Sequence, residues 1–341
     1  MSTRMLAVRQ RTFGGPQVLE VVETGRPEPG PNEVLVRIKA AGVNPADWKI
    51  RSGLLKHRFE PPLTLGLDLS GRVEAVGEAV TRLRPGDAVF GNAFPPNGAY
   101  AEYAAVPDTW LSLMPSNLDH VQAAALPTTA LTAWQPLTHV APITAGQRVL
   151  VHAAAGGIGH LAVQIAKARG AYVIGTARAD KHAFLRRLGA DELIDYTQVD
   201  FAEVARDVDV VLDPIADDYG LRSLDTLAPG GTLIDVRGTG PDRSAVRKLA
   251  DERGLHFVEF GFTPSATDLE AIAGLAQSGT LRVTIETVLP LADAAKAHEL
   301  SETGRVKGKI VLMVSEATEG PAQAFGSSDG LKASDPQDGP A

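Results

Sequence analysis

The residues of this chain best suited to chemistry lie between Val149 and Lys181, in VLVHAAAGGIGHLAVQIAKARGAYVIGTARADK. Val149–His152 is an apolar run that suits a buried parallel strand. Gly156, Gly157 and Gly159 make a turn, and Leu161, Ile165 and Ala168 then recur at helical spacing. A strand, a glycine-rich turn and a helix in that order gather unpaired backbone N–H groups and the positive end of a helix dipole at one point. A pyrophosphate can sit there. Glycine lets the backbone approach the phosphates without a clashing Cβ. In Ala154-Ala155-Gly156-Gly157-Ile158-Gly159, Ala154 stands where the dinucleotide fingerprint has its first glycine, so this is a variant whose ordered context carries the assignment. A tight strand–helix turn with no ligand is the alternative reading of the same residues.

The residues just past the second strand select the cofactor. An NAD-binding unit usually places Asp or Glu there for the ribose 2′-hydroxyl. Here the strand ends Gly175-Thr176-Ala177-Arg178 and the segment continues to Lys181, with no acid before Asp180. Two cations point instead to a 2′-phosphate, which Arg grips bidentately and Lys meets as a point charge. NADP(H) is therefore the expected cofactor, held by Ala154, Ala155, Gly156, Gly157, Ile158, Gly159, Thr176, Arg178 and Lys181. The plainer alternative makes Arg178 and Lys181 solvated charges at a helix start, although cations there are unhelpful without an anion.

The surrounding elements must hold this unit. At 341 residues the chain is long for one core, and two domains are expected. Its 44% hydrophobic and 22% charged content is that of an ordinary soluble globular protein. No apolar run approaches the ~18 residues of a membrane span and no charged-then-apolar leader opens the chain, so a cytoplasmic location is expected. A formal charge of −8 without a long basic block argues against nucleic-acid or anionic-membrane partners. The chain has no cysteine, which removes disulfides, thiolate nucleophiles and thiolate metal sites. A GxSxG elbow is absent, and the scattered acids specify no general acid–base pair.

Residues 1–124 carry short β-branched segments, Glu33–Val43 and Gly71–Val80, bounded by turn signals that include Arg84–Asp87. They predict an antiparallel, partly barrel-shaped β domain. Residues 125–260 alternate helical patterns with strands at Glu192–Asp195, Asp209–Asp213, Gly230–Val236 and Leu255–Phe260, as in a doubly wound parallel α/β sheet. In residues 261–314, strand-like Leu281–Leu289 and Gly308–Val314 are expected to rejoin the first domain. Residues 315–341, rich in Gly, Ser, Pro and Asp, read as a disordered tail.

This order of β domain, Rossmann domain and return resembles the medium-chain dehydrogenase/reductases. The closer resemblance is to their zinc-independent quinone oxidoreductases and alkenal or enone reductases, over about Met5 to Val314. The matching stretches are Gly42–Gly53, Gly66–Gly77, Gly98–Tyr103, Leu126–Trp134, His152–Gly159, Leu188–Tyr196 and Gly308–Leu312. The resemblance implies a GroES-like β domain beside the Rossmann sheet. In the zinc-dependent branch a Cys and a His-Glu pair hold the catalytic metal; here those positions read Asn44 and Leu67-Asp68. The eight histidines show no paired ligand spacing, and His152 and His160 read as strand and helix residues. No metal is expected. Without a Lewis acid, alcohol–carbonyl hydride transfer loses its usual polarising device. A conjugated alkene needs only hydrogen-bond donors at the developing enolate oxygen.

The resemblance also implies residue roles. Asn44 would lie near nicotinamide and substrate, or be only a turn residue before Pro45. Asp47 and Lys49 match a DxK pattern of the catalytic region. Lys49 would donate to the nicotinamide ribose, its carboxamide or a developing enolate, or form a solvated ion pair with Asp47. Thr132 would meet the nicotinamide or back-bond within a helix. Tyr196 would meet the 2′-phosphate or be a partly buried aromatic. Arg305 and Lys309, before or beginning the last strand, are placed near the cofactor, as is Val236. The expected activity is metal-free, NADPH-dependent reduction of an α,β-unsaturated carbonyl or quinone, a small-molecule substrate held between domains in a monomer or homodimer. Alternatives are a reductive cyclase or enoyl reductase of a specialised-metabolite pathway, or a non-catalytic NADPH-binding protein. Asn44, Asp47, Lys49 and Thr132 together favour catalysis, since a pure binder needs only the Rossmann half.

Overall fold

Arg4–Gln10 (β1) buries the adjacent Ala7 and Val8, which face opposite sides of the strand, and pairs antiparallel with the largely exposed Glu20–Gly25 (β2). The spine of the N-terminal region is Glu33–Val43 (β3), whose Val34–Val36, Ile38 and Ala40–Val43 are buried. Pro45 then starts a short helix, Pro45–Arg51 (α1), at the position where a missing N–H costs nothing. Leu63–Thr64 (β4) pairs with β1, and Asp68–Val76 (β5), Ala88–Asn92 (β6), Tyr103–Pro107 (β7) and Leu111–Leu113 (β8) complete an antiparallel system. In it β3 pairs with β5 and β7, β5 with β6, and β6 with β8. Bridges Ala7↔Ala101 and Thr64↔Asn97 curl the β1 sheet toward the larger one around Val36, Leu65, Leu69, Val89 and Tyr100. The computed structural model describes residues 3–215 and 218–314; the tail expected at 315–341 lies outside them.

Two helices, His120–Ala124 (α2) and Pro127–Gln135 (α3), carry the chain to the second sheet. There Arg148–Val151 (β9), Gly159–Ala168 (α4), Tyr172–Thr176 (β10), His182–Arg187 (α5), Glu192–Ile194 (β11), Phe201–Val204 (α6) and Val208–Asp213 (β12) alternate. Tyr219–Leu224 (α7), Leu227–Asp235 (β13), Ser244–Glu252 (α8) and His256–Glu259 (β14) continue the pattern. The strand order is β11-β10-β9-β12-β13-β14 and every pairing is parallel. Covered on both faces, such strands need continuous apolar runs, and Val149, Leu150 and Val151 are all buried. The order reverses between β9 and β12, the position where doubly wound sheets open a ligand crevice at the carboxyl ends of their strands.

After Ala266–Gln277 (α9), the strand Ile285–Pro290 (β15) and the helix Ala294–Glu302 (α10) lead to Lys309–Met313 (β16). β16 lies parallel to β15 and antiparallel to β3, with Ile310 opposite Val43. The chain thus returns to the first sheet. β15 begins at Ile285, four residues later than the sequence pattern implies. The intervening donors are used elsewhere: Leu281 N–H goes to Leu275 O, Arg282 N–H to Gln164 Oε1 and Thr284 N–H to His160 Nε2. Among the described residues no helix is long and apolar enough to cross a membrane.

Candidate active site

The last strand and the glycine-rich turn meet where the two sheets face each other. Gly308 N–H donates to Ala155 O at 3.0 Å, so β16 is tied to the turn between β9 and α4. The turn is tight: Ala153 sits at φ +46° and Gly156 N–H returns to Ala153 O at 2.8 Å. Gly159 opens α4 at a point where a Cβ would lie 2.4 Å from Ala153 O and 2.7 Å from Ala154 Cα. Helix α4 has no side-chain cap and no acid in its first turn. The N–H groups of His160, Leu161 and Ala162 turn back to Gly156 O and Ile158 O, whereas those of Gly157, Ile158 and Gly159 have no partner among the described residues. Those three donors and the helix dipole are left to an anion, and the turn fits the pyrophosphate of a dinucleotide.

Asn44, Lys49, Thr132, Gly156, Gly157, Ile158, Gly159, Val236 and Lys309 line one cleft of about 290 Å³ that opens to solvent. The structure brings these nine together from α1 and its N-cap, α3, the turn into α4, the residue after β13, and β16. Thr132 Oγ1 also donates to Thr128 O at 2.6 Å, so its hydroxyl back-bonds within α3 while the residue walls the cleft. Lys49 Nζ reaches across to Arg237 O at 3.1 Å and Thr239 O at 3.4 Å, and burial lowers its pKa from the ordinary lysine value.

Asn44 is almost fully enclosed. Its Nδ2 donates to Asp68 Oδ2 at 2.9 Å, while Lys309 Nζ donates to Asn44 Oδ1, to Val43 O at 3.0 Å and to Asp68 Oδ2 at 3.4 Å. Asp68 is fully buried and also accepts from Thr128 N–H at 2.8 Å and Asn92 Nδ2 at 3.3 Å. Burial pulls the Lys309 ammonium below the ordinary lysine value, and the carboxylates of Asp68 and Asp47 pull against it.

Asp47 departs from the catalytic expectation, and it forms no ion pair with Lys49. It is fully buried and does not line the cleft. Residues two apart on a helix point to different sides. Its Oδ2 accepts from Asn44 N–H at 2.8 Å, closing the capping box of α1, and from Tyr100 Oη–H at 3.1 Å. Burial raises its pKa to about 7 against the opposing bond from Asn44. It fixes the backbone of Asn44 from behind.

The expected cofactor residues divide. Ala154, Ala155 and Thr176 lie beneath the turn rather than along the cleft wall: Ala154 N–H bonds Thr176 O, and Thr176 Oγ1 meets His152 Nδ1 at 3.2 Å. Arg178 and Tyr196 come together on the surface beyond β10, with Arg178 Nε donating to Tyr196 Oη at 3.4 Å. Tyr196 is 40% exposed, so its aromatic body is not core. Lys181 pairs with Asp180 at 3.4 Å. Arg305 is exposed and does not line the cleft. His152 and His160 are core groups: burial drives their pKa values down to about 3 and about 4.

One network was not anticipated. Asp213 and Asp235, at the carboxyl ends of β12 and β13, hold Arg243 and Arg237 in buried ion pairs of 2.8 and 2.6 Å. Burial raises the Asp213 carboxyl to about 6 despite Arg243. These pairs anchor the loop whose carbonyls receive Lys49. The sequence signal was an acid closing each strand, but the arginine partners are fixed only by the fold.

Residues 30–116 match the alcohol dehydrogenase GroES-like domain model and residues 188–312 the zinc-binding dehydrogenase model. The chain is 35% identical over 329 residues to a quinone oxidoreductase of Sus scrofa, covering 91% of this chain and 98% of that protein. The structure of the quinone oxidoreductase from Coxiella burnetii superposes with a TM-score of 0.84 at 37% identity, covering 92% of this chain and all of the other. The Escherichia coli quinone oxidoreductase complexed with NADPH gives 0.83 at 30% identity, with 91% and 100% coverage. A zinc ion does not fit the corresponding centre here. Catalytic zinc takes three protein N, S or O ligands and an open position. Here the converging donors are Val43 O, Asn44 Oδ1 and Asp68 Oδ2, and the point where they converge holds the Lys309 ammonium.

Proposed function

We propose that this chain, which belongs to the quinone oxidoreductase branch of the medium-chain dehydrogenase/reductases, uses NADPH to reduce quinones or α,β-unsaturated carbonyls without a metal ion. It is an oxidoreductase with a nicotinamide cofactor. One observation carries the finer reading: a single cleft sets Asn44 and Lys309 against the glycine-rich turn and the uncapped N-terminus of α4. The exposed pair of Arg178 with Tyr196, near Lys181, supports a 2′-phosphate and hence NADPH over NADH.

In this reading the N–H groups of Gly157, Ile158 and Gly159 hold the pyrophosphate, while Arg178, Lys181 and Tyr196 take the 2′-phosphate. Thr132 and Val236 wall the nicotinamide end. Bound NADPH supplies a hydride from C4 of its nicotinamide. Asn44 presents an amide N–H to the acceptor oxygen, where the electron pair arrives once hydride has added to the β-carbon. Such a donor acts where charge develops. The α-carbon then takes its proton from water. Asp47 acts through the cap of α1, and Lys49 through the 237–239 loop, leaving one of its three N–H groups for substrate or ribose.

The test is NADPH oxidation measured across a panel of quinones and enones, with NADH run in parallel. The reading predicts turnover with at least one acceptor class and a preference for NADPH. Tight NADPH binding with no turnover on the whole panel would make the protein a binder rather than an enzyme.

A further inference from the structure

Three oxygens converge at one end of the first sheet, from the last residue of β3, the N-cap of α1 and the first residue of β5: Val43 O, Asn44 Oδ1 and Asp68 Oδ2. A carboxylate, an amide oxygen and a carbonyl oxygen pointing at one spot make a cation site by chemistry. The cation is the chain's own. Lys309 is 2% exposed, and its Nζ meets all three oxygens. Burying an ammonium without partners is costly, so this side chain is held there by what it bonds.

The arrangement fixes the orientation of Asn44. An ammonium only donates and a carboxylate only accepts, so the amide must turn its oxygen to Lys309 and its nitrogen to Asp68. The reversed amide would set N–H against N–H and oxygen against oxygen. One Nδ2 hydrogen is used by Asp68. The second has no partner among the described residues, and Asn44 stands on the cleft wall. A cation on the amide oxygen draws electron density from the nitrogen, which strengthens that remaining donor. Lys309 is also linked to the cofactor turn. Its neighbour Gly308 bonds Ala155 O, and a Cβ at Gly157 would lie 3.4 Å from Lys309 Cδ.

We propose that Lys309 is a positioning residue whose buried ammonium stands where a metal ion would and polarises the Asn44 amide, so that its free N–H stabilises negative charge on the acceptor oxygen. The proposal rests on the reading of the protein as an NADPH-dependent reductase. It assigns the positive charge of the site to a side chain that acts through another and touches no substrate.

The test is a double-mutant cycle, Lys309→Met, Asp68→Asn and the two combined. Each is measured for kcat, KM, melting temperature and NADPH dissociation constant by tryptophan fluorescence. Lys309→Met alone leaves Asp68 without its cation, so it should lower both stability and turnover. The double variant removes both charges and should recover most of the lost melting temperature. Its kcat should stay on the order of 10²-fold below wild type, the scale of a lost oxyanion donor, with the NADPH dissociation constant within about twofold. Recovery of wild-type kcat in the double variant would show that the pair is only structural and overturn the proposal. A loss confined to NADPH binding would overturn it in favour of direct cofactor contact. Wild-type protein that oxidises NADPH with no quinone or enone refutes the functional reading itself, and this inference with it.

Discussion

Gly159→Ala separates the two jobs a glycine can do in the phosphate turn. An added Cβ at Gly159 meets Ala153 O at 2.4 Å, Ala154 Cα at 2.7 Å and Ala154 C at 2.8 Å. All three are backbone atoms of a turn already held at φ +46°, so none can swing aside. Overpacking of this kind costs about 1–3 kcal/mol, and rigid contacts place it at the upper end. Replacing Gly by Ala in a helix returns about 0.5–1 kcal/mol, leaving a net loss of about 2 kcal/mol. For a chain of this size that corresponds to roughly 3 °C in melting temperature. At Gly157 the nearest atoms are Thr129 Cγ2 at 3.3 Å and, at 3.4 Å, Gly308 O and Lys309 Cδ, so a methyl group would need shifts of at most a few tenths of an ångström. Gly157→Ala should melt within about 1 °C of wild type. Gly157 lines the cleft, so if the proposed reading holds NADPH affinity should fall by about tenfold or more. The assay is a thermal melt with and without saturating NADPH, together with a fluorescence titration. Equal melting temperatures for the two variants would refute the assignment of Gly159 to helix–strand packing.

Other outcomes rest on the same geometry. Arg178→Ala combined with Lys181→Ala should weaken NADPH and leave NADH nearly unchanged; equal loss for both in a titration would show that no 2′-phosphate is read there. Dialysis against EDTA should leave turnover intact, because Lys309 fills the point where the oxygens of the metal-like centre converge; activity lost and restored by zinc would contradict this. His152 is pushed from 6.5 to about 3 by burial, so the unfolded chain binds its proton first. The stability it contributes is full above about pH 6.5 and is lost as pH falls toward 3. His152→Gln should therefore flatten the slope of stability against pH between about 4 and 6 by about 1.4 kcal/mol per pH unit, measured by urea unfolding. An unchanged slope would mean that the imidazole is already protonated in the fold.

The legible parts of the site were those that are local in the chain. The turn from Ala154 to Gly159 announces itself because strand, glycines and helix are consecutive, and Arg178 comes one strand later. Asn44 was legible only through a family pattern. Its partners Asp68 and Lys309 lie 24 and 265 positions away, joined because β5 and β16 both flank β3. No periodicity contains that adjacency. Asp47 misled for the opposite reason. Near Asn44 and Lys49 in sequence, it looks catalytic, yet helical geometry turns it inward to cap α1 under Tyr100. The start of β15 misled likewise, because side chains of α4 take the backbone donors that a strand would have used.

Hydride transfer to a carbon conjugated with a carbonyl is the centre of this account, and isotopic labelling reads it directly. NADPH deuterated at C4 should place its label on the β-carbon of an enone product, and solvent deuterium should appear at the α-carbon. Label on a carbinol carbon would show that the enzyme reduces the carbonyl itself, and the metal-free conjugate-addition account would be wrong.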